Sequence, residues 1–249
     1  MRLRILIVAV LVALVPGRAR ADLPAAVVER SATLPAGMVE LHGTIDHEGR
    51  SVLGIETLSA EDLDLAVRWG VAERLELGLD TALRVHPDTH WIREATFALA
   101  WKIVHEPRLE LAPTARLPLF ADHGYDIGTH LDLGLGLRFR FGERWLLVLG
   151  RRLTTIDFRP AVAWHVALDG EIGYQITPTL ELAAGTQLGV LTVAGPIDRS
   201  SAPWSALPMT IGAVWAVRPG LDATAVFGTT AVQHAADGFL VALGIAVRP

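Results

Sequence analysis

Apolar and polar residues alternate along much of this chain. From Leu131 to Phe141, leucine and phenylalanine hold every odd position, and the even positions hold Asp132, Gly134, Gly136, Arg138 and Arg140. Because successive side chains of a β-strand point to opposite faces, this spacing predicts a strand with one apolar face and one charged or bare face. The same alternation runs through Leu75–Val85 and Leu63–Val71. Helical spacing would distribute these charges around all sides, so the pattern favours strands.

Twelve segments of this kind follow one another along the sequence. They span residues 37–46, 62–71, 74–85, 92–104, 108–119, 130–141, 145–155, 160–176, 179–193, 206–217, 221–232 and 238–248. Most of them contain the ~9–11 residues that a tilted strand needs to cross a lipid bilayer. The pattern therefore predicts an all-β fold, an up-and-down antiparallel transmembrane β-barrel of about 12 strands.

The connections between these segments alternate in length, which supports the same topology. Short links lie at 72–73, 105–107, 142–144, 177–178 and 218–220, whereas the connections at 47–61, 120–129 and 194–205 are long. Short turns at one end and long loops at the other are typical of outer-membrane barrels, with both chain termini on the short-turn, periplasmic side. Aromatic residues such as Trp69, Trp145 and Trp215 lie near the short turns, as interfacial anchoring predicts. A soluble β-sandwich is the alternative, but it predicts a polar outer face.

Residues 1–21 have the pattern of a removable secretory signal. Arg2 and Arg4 precede an apolar run of eleven residues, and Ala19-Arg20-Ala21 forms a small-residue cleavage motif. A retained membrane anchor is the alternative, but a spanning helix needs about 20 apolar residues. The predicted organisation is a signal peptide at 1–21, a periplasmic N-terminal segment at 22–36 and an outer-membrane β-barrel at 37–249.

Composition agrees with an exported membrane protein and excludes several other classes. The chain has 51% apolar residues, 23 glycines, no cysteine and a formal net charge of −5. These values exclude a disulfide scaffold, a collagen-like fibre and a disordered acidic tail. Its single lysine, Lys102, and its scattered arginines form no cluster of the kind that binds nucleic acid. The expected partners are outer-membrane lipid and a small-molecule solute, and the sequence does not specify an oligomeric state.

Three segments carry a resemblance to known barrels. They are Thr33–Leu41 at the first predicted strand, Trp69–Leu79 across the first short turn, and Gly173–Leu182 across a later one. The chain resembles bacterial outer-membrane β-barrels in general and, more narrowly, the transporter-like barrels associated with meta-pathway phenol degradation. The resemblance implies transport of an aromatic or hydrophobic solute, whereas a polar lumen argues equally for small polar molecules.

The inward positions of the predicted strands carry charges of both signs, and these are the candidate functional residues. The predicted lumen-lining residues are Asp64, Arg68, Glu76, Asp80, Arg84, Glu94, Lys102, Arg108, Glu110, Arg116, Asp132, Arg138, Arg140, His165, Asp169 and Glu171. Folding the chain at its short turns places Lys102 opposite Glu110 and Arg68 roughly opposite Glu76. Such pairs either rigidify the wall or form a selectivity region for a polar or anionic solute.

The inward positions of the last four strands are small, which predicts open space in the lumen. Barrels of about eight strands are filled by their own side chains, and those of about sixteen leave a channel. Twelve strands with inward residues such as Ala183, Gly185, Gly212 and Gly244 therefore favour a pore of modest width. The space would hold water or an inserted segment, either residues 22–36 or the loop 47–61.

Catalytic and metal-binding arrangements find little support. A serine nucleophile needs a base within hydrogen-bond reach, and the strand that carries His165 has no serine. The long loops contain histidines and aspartates that could bind a divalent cation or act as an acid–base pair: His86, Asp88, His90, Asp122, His123, Asp126 and His130. We predict a channel rather than an enzyme, with no catalytic residue, metal or cofactor. The alternatives are a closed structural barrel with partner-binding outer loops and a loop-sited enzyme.

Overall fold

A computed structural model shows that the chain forms a closed, up-and-down antiparallel β-barrel, as the alternation predicts. It describes residues 23–24, 26–52, 55–86, 94–121, 130–158, 163–194, 198–200, 209–229 and 238–249. The predicted signal peptide at 1–21 lies outside the described residues. The same holds for the loop residues Asp88, His90, Asp122, His123 and Asp126.

Twelve strands make up the wall, and five of them consist of two described segments. They are β1 (Val39–Val52), β2 (Ile55–Ala72), β3 (Leu75–His86), β4 (Glu94–Trp101 and Val104–His105), β5 (Leu109–Leu111 and Thr114–Ala121), β6 (His130–Gly134 and Leu137–Phe141), β7 (Trp145–Leu149 and Thr154–Asp157), β8 (Ala163–Thr177), β9 (Leu180–Ala194), β10 (Asp198–Ser200 and Met209–Arg218), β11 (Leu221–Thr229) and β12 (Gly238–Val247). Each strand pairs with the next along the chain. The ring closes between β1 and β12, from Leu41 opposite Val247 to Arg50 opposite Gly238.

The short turns lie where the sequence predicts them, and we call their side of the barrel the turn end. One hairpin differs from the prediction. Residues 47–61, expected to form a long loop or a lumen insert, instead extend β1 and β2 as a ladder that continues to Val52 opposite Ile55. Alternation is imposed on a strand only where one face meets an apolar environment, so a hairpin that projects beyond that zone carries no such signal.

The outer surface of the barrel is apolar. All twelve strands place a large, exposed apolar side chain there, including Leu79 (47% exposed) on β3, Ile211 (62%) on β10 and Leu243 (62%) on β12. At the turn end, Phe141 stacks on Trp145 with ring centroids 5.9 Å apart, and Trp145 contacts Tyr174 at 4.6 Å. An apolar band with aromatic residues at its edge matches a lipid bilayer and its interface.

Helical structure is scarce in the described residues, where it amounts to a single 3-10 turn at Val27–Glu29. Within the same ranges, no helix is long and apolar enough to span a membrane.

Candidate functional site

The N-terminal segment lies inside the barrel at the turn end. We call residues 26–38 the plug. Its 3-10 turn places Val28, which is 3% exposed, against Leu146 and Val148 on the inner face of β7. Met38, at the other end of the plug, is 2% exposed. Of the two segments that the sequence offers as lumen inserts, the N-terminal one therefore occupies the lumen.

Polar side chains of the wall hold the plug backbone. An irregular segment has no ladder of its own, so its buried N–H groups need partners elsewhere. The N–H of Ala32 donates to Glu110 Oε2 at 2.7 Å, and that of Leu34 donates to Glu76 Oε2 at 2.9 Å. Arg138 donates to the carbonyl oxygen of Val27 at 2.7 Å. Side chains of the wall therefore bind the plug through its backbone N–H and C=O groups.

An ion-pair network, which we call the latch, fixes the middle of the plug. Arg30 in the plug donates from Nη1 and Nη2 to the two carboxylate oxygens of Asp222 on β11, at 2.5 and 3.0 Å. Arg248, just after β12, lies 2.8 Å from Asp222 and 2.6 Å from Glu40 on β1. Burial works to lower the pKa of Arg248, but the carboxylates of Glu40 and Asp222 outweigh it and raise that pKa above its usual value. The latch therefore joins the plug to the seam where the barrel closes.

A glycine of the wall makes room for the plug. Gly70 on β2 donates its N–H to the carbonyl of Met38 at 2.9 Å, and its own carbonyl accepts from Gly37 at 2.6 Å. A Cβ atom placed on Gly70 would lie 2.0 Å from the carbonyl oxygen of Pro35 and 2.7 Å from that of Leu34. Both obstacles are backbone atoms, so only glycine permits this approach.

Several predicted lumen residues form ion pairs with one another on the inner face of the barrel. Asp80 lies 2.8 Å from both Arg68 and Arg116, and Arg68 is also 4.0 Å from Glu76, its predicted partner. Lys102 differs from its prediction. It donates to Ser31 Oγ in the plug at 2.8 Å, whereas Glu110, fully buried, contacts His105 and Arg140 in addition to the plug.

The remaining predicted residues occupy varied positions. Asp132 accepts from Thr155 and lies 3.3 Å from Arg152, which also donates its backbone N–H to Asp169. The other pairs are Arg84 with Asp62 at 2.9 Å and Arg151 with Glu171 at 3.0 Å. Arg108 is exposed in the turn before β5, and Asp64 is exposed on β2. Glu94 and His165 lie in β4 and β8, but their side chains are outside the described part of the structure.

Sequence reasoning missed the latch and the role of Gly70. Glu40 and Asp222 occupy inward positions at the turn end of β1 and β11, so the alternation that indicated Glu76 and Glu110 could also have indicated them. Arg30 lies outside every predicted strand, and its partner is 192 positions away in the sequence. No local pattern connects two such residues.

The lumen beyond the plug is hollow. A cavity of about 350 Å³, which we call the chamber, lies directly against the plug residue Ala32, and four arginines are among its lining residues: Arg68, Arg116, Arg138 and Arg151. Small inward-facing residues, such as Ala98, Ala112 and Gly136, leave space for this cavity. A second cavity of about 310 Å³ shares Arg68 and Arg116 with the chamber and extends to His42 and Arg152.

No protein family and no curated protein matches this sequence. Solved structures do match its fold. The NanC porin superimposes with a TM-score of 0.56 at 12% identity, covering 82% of this chain and 98% of that one. The KdgM porin gives 0.54 at 8%, covering 83% and 98%. An outer-membrane channel from Pseudomonas putida F1 gives 0.55 at 16%, covering 95% and 100%. The chain therefore has the fold of outer-membrane channel barrels.

Proposed function

We propose that the protein is an outer-membrane channel that passes a small solute and is narrowed by the plug at its periplasmic end. The observation that carries this proposal is a hollow, charged lumen inside a barrel whose outer surface is apolar. Lipid accounts for the outer surface, and water or a polar solute accounts for the inner one. The fold shared with the porins supports the same function.

Charges of both signs in the lumen support a polar solute. Arg68 on β2 pairs with Asp80 on the neighbouring strand β3, and Arg151 pairs with Glu171 on β8. Rings of charged side chains are a common basis of selectivity in channels. This function requires no catalytic residue, metal or cofactor, and the loop residues of the enzyme alternative lie mostly outside the described ranges.

A closed structural barrel is the second candidate, and the plug itself favours it. The plug is bonded to β2, β3, β4, β5, β6, β8 and β11. A segment tied to the wall on so many sides can seal the turn end. The two candidates differ in whether ions pass when the plug is free to move.

A reversible crosslink between plug and wall separates them. The chain has no cysteine, so Val28→Cys with Val148→Cys introduces one thiol pair at a buried contact. The protein would be purified from bacterial outer membranes, checked for heat-modifiable migration on a gel, and placed in a planar bilayer. We expect current steps in dithiothreitol that shrink or vanish on oxidation and return on reduction.

The two single-cysteine variants are the matched controls, since they carry the same substitutions without a crosslink. A folded barrel that is silent in both redox states would support the closed structural barrel. Equal current in both states would show that ions pass without movement of the plug. The plug would then not control passage through the channel.

A further inference from the structure

Arginines dominate the charged lining of the chamber. Four arginines line it, and Glu76 is the one carboxylate among its described lining residues. Glu76 already accepts the N–H of Leu34 and lies 4.0 Å from Arg68. Two carboxylates outside the lining pair with the other arginines: Asp80 lies 2.8 Å from both Arg68 and Arg116, and Glu171 lies 3.0 Å from Arg151. Arg138 is the chamber arginine that has no carboxylate partner within 4.0 Å among the described residues.

Arg138 and Arg116 are the least satisfied of these arginines. Within the described part of the chain, no carboxylate oxygen lies within 4.0 Å of the Arg138 guanidinium, whose Nη2 donates to the neutral carbonyl of Val27. Arg116 uses Nη2 on Asp80. The Nε atoms of both side chains are buried and have no hydrogen-bond partner among the described residues. Guanidinium groups with unused hydrogen-bonding capacity next to a cavity favour an anion as a further partner.

The wall beside these arginines is apolar. Ala98, Ala100 and Val148 line the same chamber, and its volume of about 350 Å³ lies at the lower end of the range of small-molecule sites. A guanidinium group donates charge-assisted hydrogen bonds to a carboxylate, which are stronger than those between neutral groups. The chamber thus combines donors for a carboxylate with a surface for a short hydrocarbon tail.

We propose that the chamber binds a small organic carboxylate, with its oxygens on Arg116 and Arg138 and its hydrocarbon tail against Ala98, Ala100 and Val148. This inference rests on the proposed channel function, because it names the solute class of the same lumen. The site lies directly against the plug residue Ala32, so a solute held there would be in contact with the plug.

Three probes of similar length separate charge from size. Isothermal titration calorimetry on the detergent-purified full chain would compare butyrate, 1-butanol and butylammonium, with inorganic phosphate as a test of anion binding without a tail. We expect butyrate to bind, phosphate to bind more weakly, and the alcohol and the cation to show no binding. Equal binding of butyrate and 1-butanol, or no binding of butyrate, would overturn the proposal. Phosphate binding as tight as butyrate would refute the role of the apolar wall.

Arginine variants test the location of the site. Arg116→Met and Arg138→Met remove the donors while keeping the hydrocarbon stems, and each should weaken butyrate binding about tenfold, as expected for a hydrogen bond to a charged group. Arg218→Met, at the exposed last residue of β10, is the matched control and should leave binding unchanged. Arg138→Lys keeps the positive charge and serves as a conservative variant in case Arg138→Met fails to fold. Its butyrate affinity should lie between those of the wild type and Arg138→Met. Unchanged affinity in the double Arg116→Met, Arg138→Met variant, with normal heat-modifiable migration, would contradict the assignment.

Calorimetry does not depend on conduction, so failure of this inference and failure of the channel are distinguishable. A barrel that binds butyrate but carries no current retains the site and loses the channel function. A barrel that conducts, with a current that butyrate leaves unchanged, retains the channel and loses the site.

Discussion

Removing Arg30 from the latch should release the plug. The side chains of Arg30 and Asp222 are 10% and 3% exposed, and two hydrogen bonds join them. Breaking a buried ion pair by removing one partner costs about 3–5 kcal/mol. Arg248 remains 2.8 Å from Asp222, so the carboxylate keeps one cation and the lower value applies. A loss of about 3 kcal/mol shifts the balance between seated and released plug about 100-fold.

A buried thiol reports that shift directly. Thr33 is 3% exposed and its hydroxyl has no hydrogen-bond partner in the described structure, so Thr33→Cys removes no bond and adds the one thiol of the chain. Its rate of reaction with a maleimide measures the released fraction. We expect Arg30→Met to raise that rate by about the same factor as the shift in the plug equilibrium.

The control variant breaks a comparable ion pair that has no contact with the plug. Arg84 donates to both oxygens of Asp62 on the inner wall, at 2.9 and 3.2 Å. Arg84→Met in the Thr33→Cys background should leave the reaction rate near that of the Thr33→Cys parent. If Arg30→Met accelerates the reaction no more than Arg84→Met does, the latch does not hold the plug and the reasoning is refuted.

Two further substitutions test the contact between plug and wall and the outer surface. Gly70→Ala should raise the reactivity of Thr33→Cys, because the new Cβ would meet two backbone oxygens of the plug. Gly43→Ala is the control and should leave that reactivity unchanged, because its Cβ meets only a Leu65 side-chain carbon at 3.5 Å. Equal reaction rates in the two variants would contradict the close approach of the plug to Gly70. Trp145→Ala removes two ring contacts at the turn end and should lower the free energy of unfolding in vesicles by about 1–3 kcal/mol. Trp215→Ala, outside that stack, is the comparison in the same urea titration, and an equal loss there would assign the effect to lipid contact alone.

The wall of the barrel could be predicted from the sequence because lipid and lumen impose opposite demands on neighbouring residues. Leu131–Gly134 and Leu137–Phe141 follow that alternation and form β6. The break between them could not be predicted from period two, since it depends on Gly136 adopting a φ of 53° close to the carbonyl of Ala112. The projecting part of the β1–β2 hairpin was missed because alternation is no longer imposed there.

The interior was harder to predict because its contacts join distant parts of the chain. Period two indicated that Glu76 and Glu110 face inward, but not that both would accept N–H groups of the N-terminal segment. The sequence left 22–36 and 47–61 as equal candidates for the insert. Backbone donors in an irregular segment carry no sequence signal of their own, so the choice required the three-dimensional arrangement.

The latch also constrains the order in which the molecule is built. Its wall residues come from opposite ends of the barrel domain: Glu40 lies on the first strand, Asp222 on the eleventh, and Arg248 follows the twelfth. Pairing of β11 with β12 brings Asp222 and Arg248 together, but Glu40 joins them only when β12 has paired with β1. A half-assembled, open sheet therefore has no complete binding site for Arg30, although that residue is synthesised before any strand. A complete latch therefore exists only in a barrel whose seam has closed.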